Sequence, residues 1–186
     1  MKREIRLLII SLLIIMSGCS YSTLNEAIKG DTPYKVNNVI HIEKVEGISI
    51  VLYDTLPERK EFPHLIEPVL GVSFFKGNDE DGWKNIGPNG WQHQENDQFT
   101  IYHDFFREYT HEGNLVIDIP VVFGEINNED IKKIVTLEQG DRENYMDAVI
   151  IEKDYGRYYL ASGRVTSIKG LSKNGEIIEQ VDWETN

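Results

Sequence analysis

Hydrophobic residues follow three patterns along this chain of 186 residues, and each pattern predicts a different element. Residues 7–16 are almost uninterruptedly apolar. Leu24, Ala27 and Ile28 then have the spacing of one helical stripe. From residue 35 onward the period becomes two, which predicts β-strands with alternate side chains on opposite faces.

The helical stripe has a clear start signal. Thr23 and Glu26 are spaced as a capping box, in which each side chain accepts a hydrogen bond from the other residue's backbone amide. Gly30 is placed to end the helix. We expect about two turns of helix lying over a sheet.

Twelve later segments have the alternation or the continuous apolar run of a strand. They are residues 39–45, 47–53, 69–75, 83–86, 91–94, 99–106, 114–123, 131–137, 148–153, 157–162, 164–169 and 176–181. Short turn sequences separate them, so the predicted class is α+β, predominantly antiparallel β. One short N-terminal helix on a sheet would be followed by a strand meander.

The last predicted hairpin has the strongest turn signal. Asn174–Gly175 is the preferred sequence of a two-residue type I′ turn. Lys173 and Glu176 would then face each other across the turn as an opposite-charge pair. We therefore expect a tight hairpin near the C-terminal end of the chain.

A soft domain boundary is predicted at residues 107–113, which are polar and end in glycine. It would divide a helix plus Trp-containing β-sheet subdomain at 23–110 from a β-meander subdomain at 111–186. The alternative is one continuous sandwich, and the sequence gives the two arrangements equal support.

The apolar run at 7–16 has the build of a signal peptide. Three basic residues precede it, and the small residues Ser17 and Gly18 follow it. Its ten residues are about half of the twenty that a membrane-spanning helix needs. Cys19, the only cysteine of the chain, comes next. This arrangement favours export and cleavage over a retained transmembrane anchor.

The run Leu13-Ile14-Ile15-Met16-Ser17-Gly18-Cys19 resembles the lipobox of bacterial lipoproteins, with Met16 where leucine is usual. The resemblance implies a diacylglyceryl thioether on Cys19, a signal peptide of residues 1–18, and a lipid anchor and tether at 19–22. It implies a place on the extracytoplasmic face of the cell membrane, held by covalent lipid. The alternative is a plain secretory signal with an incidental cysteine.

The rest of the chain loosely resembles small uncharacterised lipoproteins of Gram-positive bacteria. The shared layout is a helix, a sheet containing Gly82-Trp83-Lys84, and strands ending in a Lys-Asn-Gly-Glu hairpin. This resemblance implies no activity.

The charge of the chain excludes one class of partner. Of 19 basic and 31 acidic side chains, the leader holds three and one, so the remainder has a net charge of −14. Nucleic-acid binding needs clusters of Lys and Arg, so no nucleic-acid partner is expected. Repulsion from anionic headgroups also predicts that the domain stands off the membrane on its anchor.

No motif identifies a reaction, a metal or a cofactor, and none of these is predicted. The acidic turn 78–82 fails the EF-hand spacing, since its first and twelfth loop positions would be Gly77 and Pro88. The five histidines lack the helical spacing of paired metal ligands. No catalytic residue is assigned, although two carboxylates could converge in space without leaving a sequence signature.

Aromatic residues give the best indication of a binding face. Trp83 and Trp91 flank one predicted turn, and Tyr155 and Tyr158 flank another. Exposed aromatic rings stack on sugars or anchor protein interfaces. The competing interpretation is that the two tryptophans pack against each other across residues 87–90.

The sequence therefore predicts a membrane-anchored, non-catalytic binding or interaction module. Its partner would be an envelope protein or a cell-wall ligand. The alternative is a cell-envelope hydrolase that uses carboxylates or a bound metal.

Overall fold

The computed structural model describes residues 20–58, 60 and 62–183. One helix, α1 (Leu24–Asp31), precedes the strands. The strands are β1 (Val36–Val45), β2 (Ile48–Thr55), β3 (Val69–Asn78), β4 (Gly82–Asn85), β5 (Gly90–Gln92), β6 (Tyr102–Tyr109), β7 (Leu115–Glu125), β8 (Lys133–Glu138), β9 (Tyr145–Asp147), β10 (Val149–Lys153), β11 (Gly156–Ser162), β12 (Val165–Leu171) and β13 (Ile177–Asp182). A mostly antiparallel β protein with one short helix is thereby confirmed.

Two predictions concern residues that the structure does not describe. The signal peptide at 1–18 and the lipidation site Cys19 both lie outside the described residues. The described part of the chain contains no helix that is long and apolar enough to cross a membrane.

Helix α1 begins where its sequence predicts. The Thr23 hydroxyl accepts a hydrogen bond from the Glu26 amide at 3.2 Å. The Glu26 carboxylate accepts one from the Ser22 hydroxyl at 2.6 Å, and this bond lowers the pKa of Glu26. The helix continues past Gly30 and ends at Asp31. The predicted start is therefore correct, and the predicted end is one residue early.

The strands form three antiparallel sheets. Sheet 1 has the order β1-β2-β3-β4, with β5 also paired to β3. Sheet 2 has the order β10-β11-β7-β6, and sheet 3 has the order β13-β12-β8-β9. The pairs β11–β7 and β12–β8 join strands that are distant in sequence. Strands β6 to β13 therefore divide between two sheets and do not form a simple meander.

The predicted boundary at 107–113 falls at the tip of a hairpin. Strand β6 pairs with β7 from Tyr102 opposite Phe123 to Tyr109 opposite Leu115. The Thr110 amide donates to the Asn114 carbonyl at 2.8 Å, and the Asn114 amide donates to the Thr110 hydroxyl at 3.2 Å, so the two residues close the loop. The two predicted subdomains thus share one paired sheet.

Three apolar clusters lie between four layers, which are α1 and sheets 1, 2 and 3. The cluster between α1 and sheet 1 contains Ala27, Ile28, Val51, Tyr53, Phe75 and Trp83. The cluster between sheets 1 and 2 includes Ile50, Leu52, Val72, Phe74, Val121, Phe123, Tyr158 and Leu160. The cluster between sheets 2 and 3 includes Phe99, Val122, Ile126, Ile131, Ile134, Tyr159, Ala161 and Ile168.

Sheet 2 is the central layer because its two middle strands are apolar on both faces. Along β7, Val121 and Phe123 face sheet 1, whereas Val122 faces sheet 3. The buried Tyr159 hydroxyl donates a hydrogen bond of 2.7 Å to the Thr100 carbonyl. Burial on both faces of a strand produces a continuous apolar run, as the sequence has here.

The last hairpin is present, but the predicted type I′ turn is wrong. The Gly175 amide donates to the Ser172 carbonyl at 3.0 Å, so Lys173 and Asn174 are the central turn residues. Asn174 is not among the residues with positive φ, which a type I′ turn requires. The Ser172 hydroxyl accepts from the amides of Asn174 and Glu176 and stabilises this turn instead.

The strands of sheets 1 and 2 run lengthwise, so the molecule has two ends. We call the end that carries the β3–β4 loop, residues 79–81, the turn end. Lys76 near this end of β3 bonds to Glu108 of β6 at 2.9 Å. Strand β3 has ten residues, so the opposite, far end lies roughly 30 Å away at 3.3 Å per residue.

The chain enters the fold at the turn end. Tyr21 and Trp83 exchange two backbone hydrogen bonds, of 3.0 and 2.7 Å, and form an isolated antiparallel bridge. The first residues of the described chain are therefore held beside β4 by hydrogen bonds.

The central core predicts a large contrast between two phenylalanines on neighbouring strands of sheet 2. Phe123 is 1% exposed and packs on Tyr102, whereas Phe105 is 48% exposed. We expect Phe123→Ala to lower the free energy of unfolding by about 3–5 kcal/mol. The matched change Phe105→Ala should cost less than about 1 kcal/mol. Urea unfolding measures both values, and equal losses would contradict the layered core.

Candidate functional site

At the far end, sheets 1 and 2 separate and leave a cavity of about 280 Å³. Its lining residues are Asn38, Asp54, Glu67, Pro68, Glu125, Tyr155 and Tyr158. A neighbouring cavity of about 220 Å³ shares Glu125, Tyr155 and Tyr158 with it. We call the two together the tyrosine–carboxylate cleft, with the first as its larger lobe and the second as its smaller lobe.

Residues from both sheets line the cleft. Asp54 lies near the end of β2 in sheet 1, and Glu67 lies in the segment before β3. Glu125 ends β7 in sheet 2 and is paired in register with Tyr158 of β11. Tyr155 lies in the tight turn between β10 and β11. The cleft therefore depends on the packing of the two sheets.

Asp54 is a buried carboxylate with its own partners. It is 4% exposed, and its two carboxylate oxygens accept bonds from the Asn38 backbone amide at 3.1 Å and side-chain amide at 2.9 Å. These two bonds offset part of the cost of burying a charge.

Glu125 is partly buried and has no such partners. No hydrogen bond from a described residue reaches its carboxylate. Burial raises the pKa of Glu125, and the negative charges of Glu67 and Asp54 raise it further, whereas His93 opposes them. The cleft therefore holds one carboxylate that is hydrogen-bonded and one that has no hydrogen bond and is opposed by the charge of His93.

The two tyrosines have different environments. Tyr158 is 4% exposed, and within the described chain no hydrogen bond reaches its hydroxyl. Burial, followed by the charges of Glu125 and Asp54, raises the pKa of Tyr158. Tyr155 is half exposed, and its ring centroid lies 6.2 Å from that of Tyr158. The cleft thus contains the hydroxyl of a largely buried tyrosine, without a partner among the described residues, beside a second, accessible ring.

The structure separates the two tryptophans that the sequence placed with these tyrosines. Trp83 is opposite Gly77 of β3, and Trp91 is opposite Gly71, six positions or roughly 20 Å along the strand. They do not pack against each other, so that interpretation is wrong. Trp83 lies under α1 and donates its indole N–H to Asp79 at 2.7 Å.

Trp91 belongs to a second cavity, on the helix side of the molecule. Its ring meets that of Phe62 edge to face, with centroids 4.9 Å apart. The cavity has a volume of about 220 Å³ and is lined also by Tyr34 and several neighbours, including Pro33 and Pro57. The four predicted aromatics therefore lie in three places, and only Tyr155 and Tyr158 share one.

The acidic turn is held by its own hydrogen bonds. The Asn78 side-chain oxygen accepts from the amides of Glu80 and Asp81, both at 2.8 Å. Among residues 20–58, 60 and 62–183, no group of three or more His, Cys, Asp or Glu side chains is arranged to hold a metal ion. His103 instead packs its ring on Trp183, and burial lowers the pKa of His103.

Ser73 and Lys76 have a Ser-x-x-Lys spacing but are not a catalytic pair. They lie three positions apart on a strand and so point to opposite faces. The Ser73 hydroxyl donates to Asn89 at 2.7 Å, whereas Lys76 pairs with Glu108.

Comparisons with protein-family models, with curated proteins and with solved structures each gave no match.

Sequence reasoning did not identify Asp54, Glu67 and Glu125 as parts of one site. They lie on different elements, and only tertiary packing brings them together. One local signal was available: Asp54 is the only charged residue of β2, a strand that is buried along its whole length. Charged residues are rarely fully buried without a reason, so this position could have been marked.

The raised pKa of Glu125 predicts a pH dependence of stability. The stabilising contribution is complete below the unfolded-state pKa of about 4.3 and is lost as the pH rises through the higher folded-state pKa. Glu125→Gln removes this loss, so the variant should be at least as stable as wild type at pH 7. Its advantage should vanish near pH 4.

Urea unfolding at both pH values measures this difference. Glu112→Gln, in the exposed hairpin loop at the turn end, is the matched control and should show no pH-dependent advantage. A Glu125→Gln variant that is clearly less stable than wild type at pH 7 would show that the charge is compensated.

Proposed function

We propose that this protein is a lipid-anchored binding module on the outer face of the cytoplasmic membrane. The tyrosine–carboxylate cleft is its ligand site. The observation that carries the proposal is the position of the cleft, roughly 30 Å along β3 from the point where the chain enters the fold.

The anchor rests on the lipobox-like sequence that ends at Cys19. Only Ser20 separates that residue from Tyr21, which is bonded to β4. Two residues of extended chain reach at most about 7 Å. A lipid on Cys19 therefore holds the turn end against the headgroups, which revises the expectation of a domain standing off the membrane.

Several side chains at the turn end fit a surface close to lipid. Tyr109, Leu115 and Val116, around the β6–β7 loop, are exposed by 49% to 60%. Aromatic and aliphatic side chains of this kind partition into the interface between headgroups and acyl chains. Lys76, bonded to Glu108, links this hairpin to β3 beside the entry of the chain. The cleft then faces away from the membrane, toward the envelope.

A fluorescence measurement tests this orientation. Once Cys19 is lipidated, a single introduced cysteine is the only reactive thiol. Glu80→Cys places a dye in the turn-end loop, and Asp154→Cys places one beside the cleft; both positions are exposed. In vesicles with a labelled headgroup, energy transfer should be strong from position 80 and weaker from position 154. Equal transfer would contradict the orientation.

The anchor itself has a separate test. Cys19→Ala in the full chain should leave the protein in the soluble fraction and abolish incorporation of labelled fatty acid. If the variant still fractionates with membranes and takes up as much label, lipid anchoring at Cys19 is wrong. A matched Ser20→Ala variant should behave as the wild type.

A hydrolase is the second candidate, and one observation favours it. Asp54 accepts two hydrogen bonds, whereas Glu125 has none and a raised pKa. Two carboxylates in contrasting environments are the arrangement of an acid and a base or nucleophile in glycoside hydrolysis. Purified cell-wall glycan tests this alternative: release of reducing ends by wild type but not by Glu125→Gln supports it, and no release by wild type overturns it.

A further inference from the structure

The charges that line the tyrosine–carboxylate cleft are unbalanced. Asp54, Glu67 and Glu125 contribute carboxylates to the larger lobe, and no Lys or Arg is among its lining residues. Arg157 lines the smaller lobe, but its guanidinium bonds to the Asn128 and Ile131 carbonyls. The larger lobe therefore has three carboxylates and no Lys or Arg in its walls, and the positive charge that acts on Glu125 comes from His93, outside the lining residues.

Tyr158 gives a second and independent indication of a ligand. The residue is 4% exposed and lines both lobes, and within the described part of the chain its hydroxyl has no hydrogen-bond partner. This hydroxyl is not one of the buried, unpartnered side-chain atoms of the described chain, so it is open to the cleft and available to bond a ligand placed there. By contrast, the fully buried Tyr159 hydroxyl bonds to the Thr100 carbonyl.

Tyr155 completes the arrangement with an accessible ring face. It is 50% exposed and adjoins Tyr158 at the mouth of the cleft. A cation above a tyrosine ring is attracted by the electron density of its face, and a neighbouring carboxylate adds Coulombic attraction. An aromatic ring beside several carboxylates, with no Lys or Arg among the residues that line the larger lobe, favours an organic cation over a neutral ligand.

We infer that the cleft binds a small organic cation, an ammonium or guanidinium group on a short aliphatic stem. This inference rests on the proposed function, in which the cleft is the ligand site. Glu125 supplies the countercharge, the Tyr158 hydroxyl accepts an N–H of the cation where one is present, and the Tyr155 ring covers it.

The dimensions of the cleft limit the ligand. Each lobe, at about 280 and 220 Å³, is slightly smaller than the usual range of small-molecule sites, which starts at about 300 Å³. A side-chain-sized cation fits this space, and a folded protein segment does not. The raised pKa of Glu125 agrees with the inference, because a bound cation would relieve the repulsion from Glu67 and Asp54.

Calorimetric titration of the full-length protein in detergent tests the inference with paired probes. Choline is compared with its neutral isostere 3,3-dimethylbutanol, and propylguanidinium with neutral propylurea. We expect at least one cation to bind about tenfold or more tightly than its neutral counterpart. Calcium chloride and N-acetylglucosamine serve as an inorganic cation and a neutral sugar.

Substitutions in the cleft and at a remote position test whether the cation binds in the cleft. Glu125→Gln and Tyr155→Ala should each weaken cation binding by about tenfold, whereas the exposed, remote Glu112→Gln should leave it unchanged. Far-ultraviolet circular dichroism and the unfolding midpoint establish that each variant is folded. Retention of binding in Glu125→Gln, with the fold intact, would overturn the inference.

Two further outcomes would overturn the inference. One is binding of a cation and its neutral isostere with equal affinity. The other is no binding of either cation at about 50 mM, which is about ten times a weak Kd of about 5 mM. Binding of the sugar alone, lost in Tyr155→Ala, would refute the ligand class while the cleft remains the site. The energy-transfer and lipid-labelling results are independent of these titrations, so failure of the anchored orientation is distinguished from failure of the ligand class.

Discussion

The burial of sheet 2 on both faces is the constraint on which the rest of the molecule depends. A strand whose neighbouring side chains point to opposite faces, both apolar, needs a partner layer on each side. Along β7, Val121 and Phe123 require sheet 1, and Val122 requires sheet 3. Sheet 1 in turn is apolar on its outer face at Val51 and Tyr53, which α1 covers. One central sheet thus accounts for all four layers.

The same constraint produces the cleft. The apolar cluster between sheets 1 and 2 continues to Tyr158, and beyond it the facing side chains become acidic. Carboxylates in the packed part of the core would need partners at every oxygen, so they occur where the sheets separate and water or a ligand can enter. The far end is therefore polar because the apolar core stops there. Its carboxylates and tyrosine hydroxyls line a cavity that a ligand can enter.

The sequence predicts the local structure well because its signals are local. Each of the twelve predicted segments overlaps an observed strand, and Thr23 caps the helix as expected. Strand β9 has only three residues, so its pattern was too short to recognise. Turn types were harder to predict from the sequence. A two-residue hairpin turn occurs at Glu46 and Gly47, which both have positive φ. At Asn174–Gly175, where this turn type was predicted, the Ser172 hydroxyl stabilises a different turn.

Long-range features were not predictable from the residues alone. The register along β3 keeps Trp83 and Trp91 apart, and no spacing rule gives that register in advance. Asp54 and Glu125 are 71 positions apart in the sequence, yet they line one cleft because their sheets pack together. Tyr155 and Tyr158 were identified because an exposed turn beside an aromatic strand is a local pattern. The carboxylates that lie beside those rings are brought there only by the fold.

The most direct test of the account is a crystal structure of the protein grown with saturating propylguanidinium. We expect the guanidinium to lie in the tyrosine–carboxylate cleft, with a nitrogen about 2.7–3.2 Å from the Glu125 carboxylate and its plane beside the Tyr155 ring. An empty cleft, with the probe bound instead between Phe62 and Trp91, would contradict it.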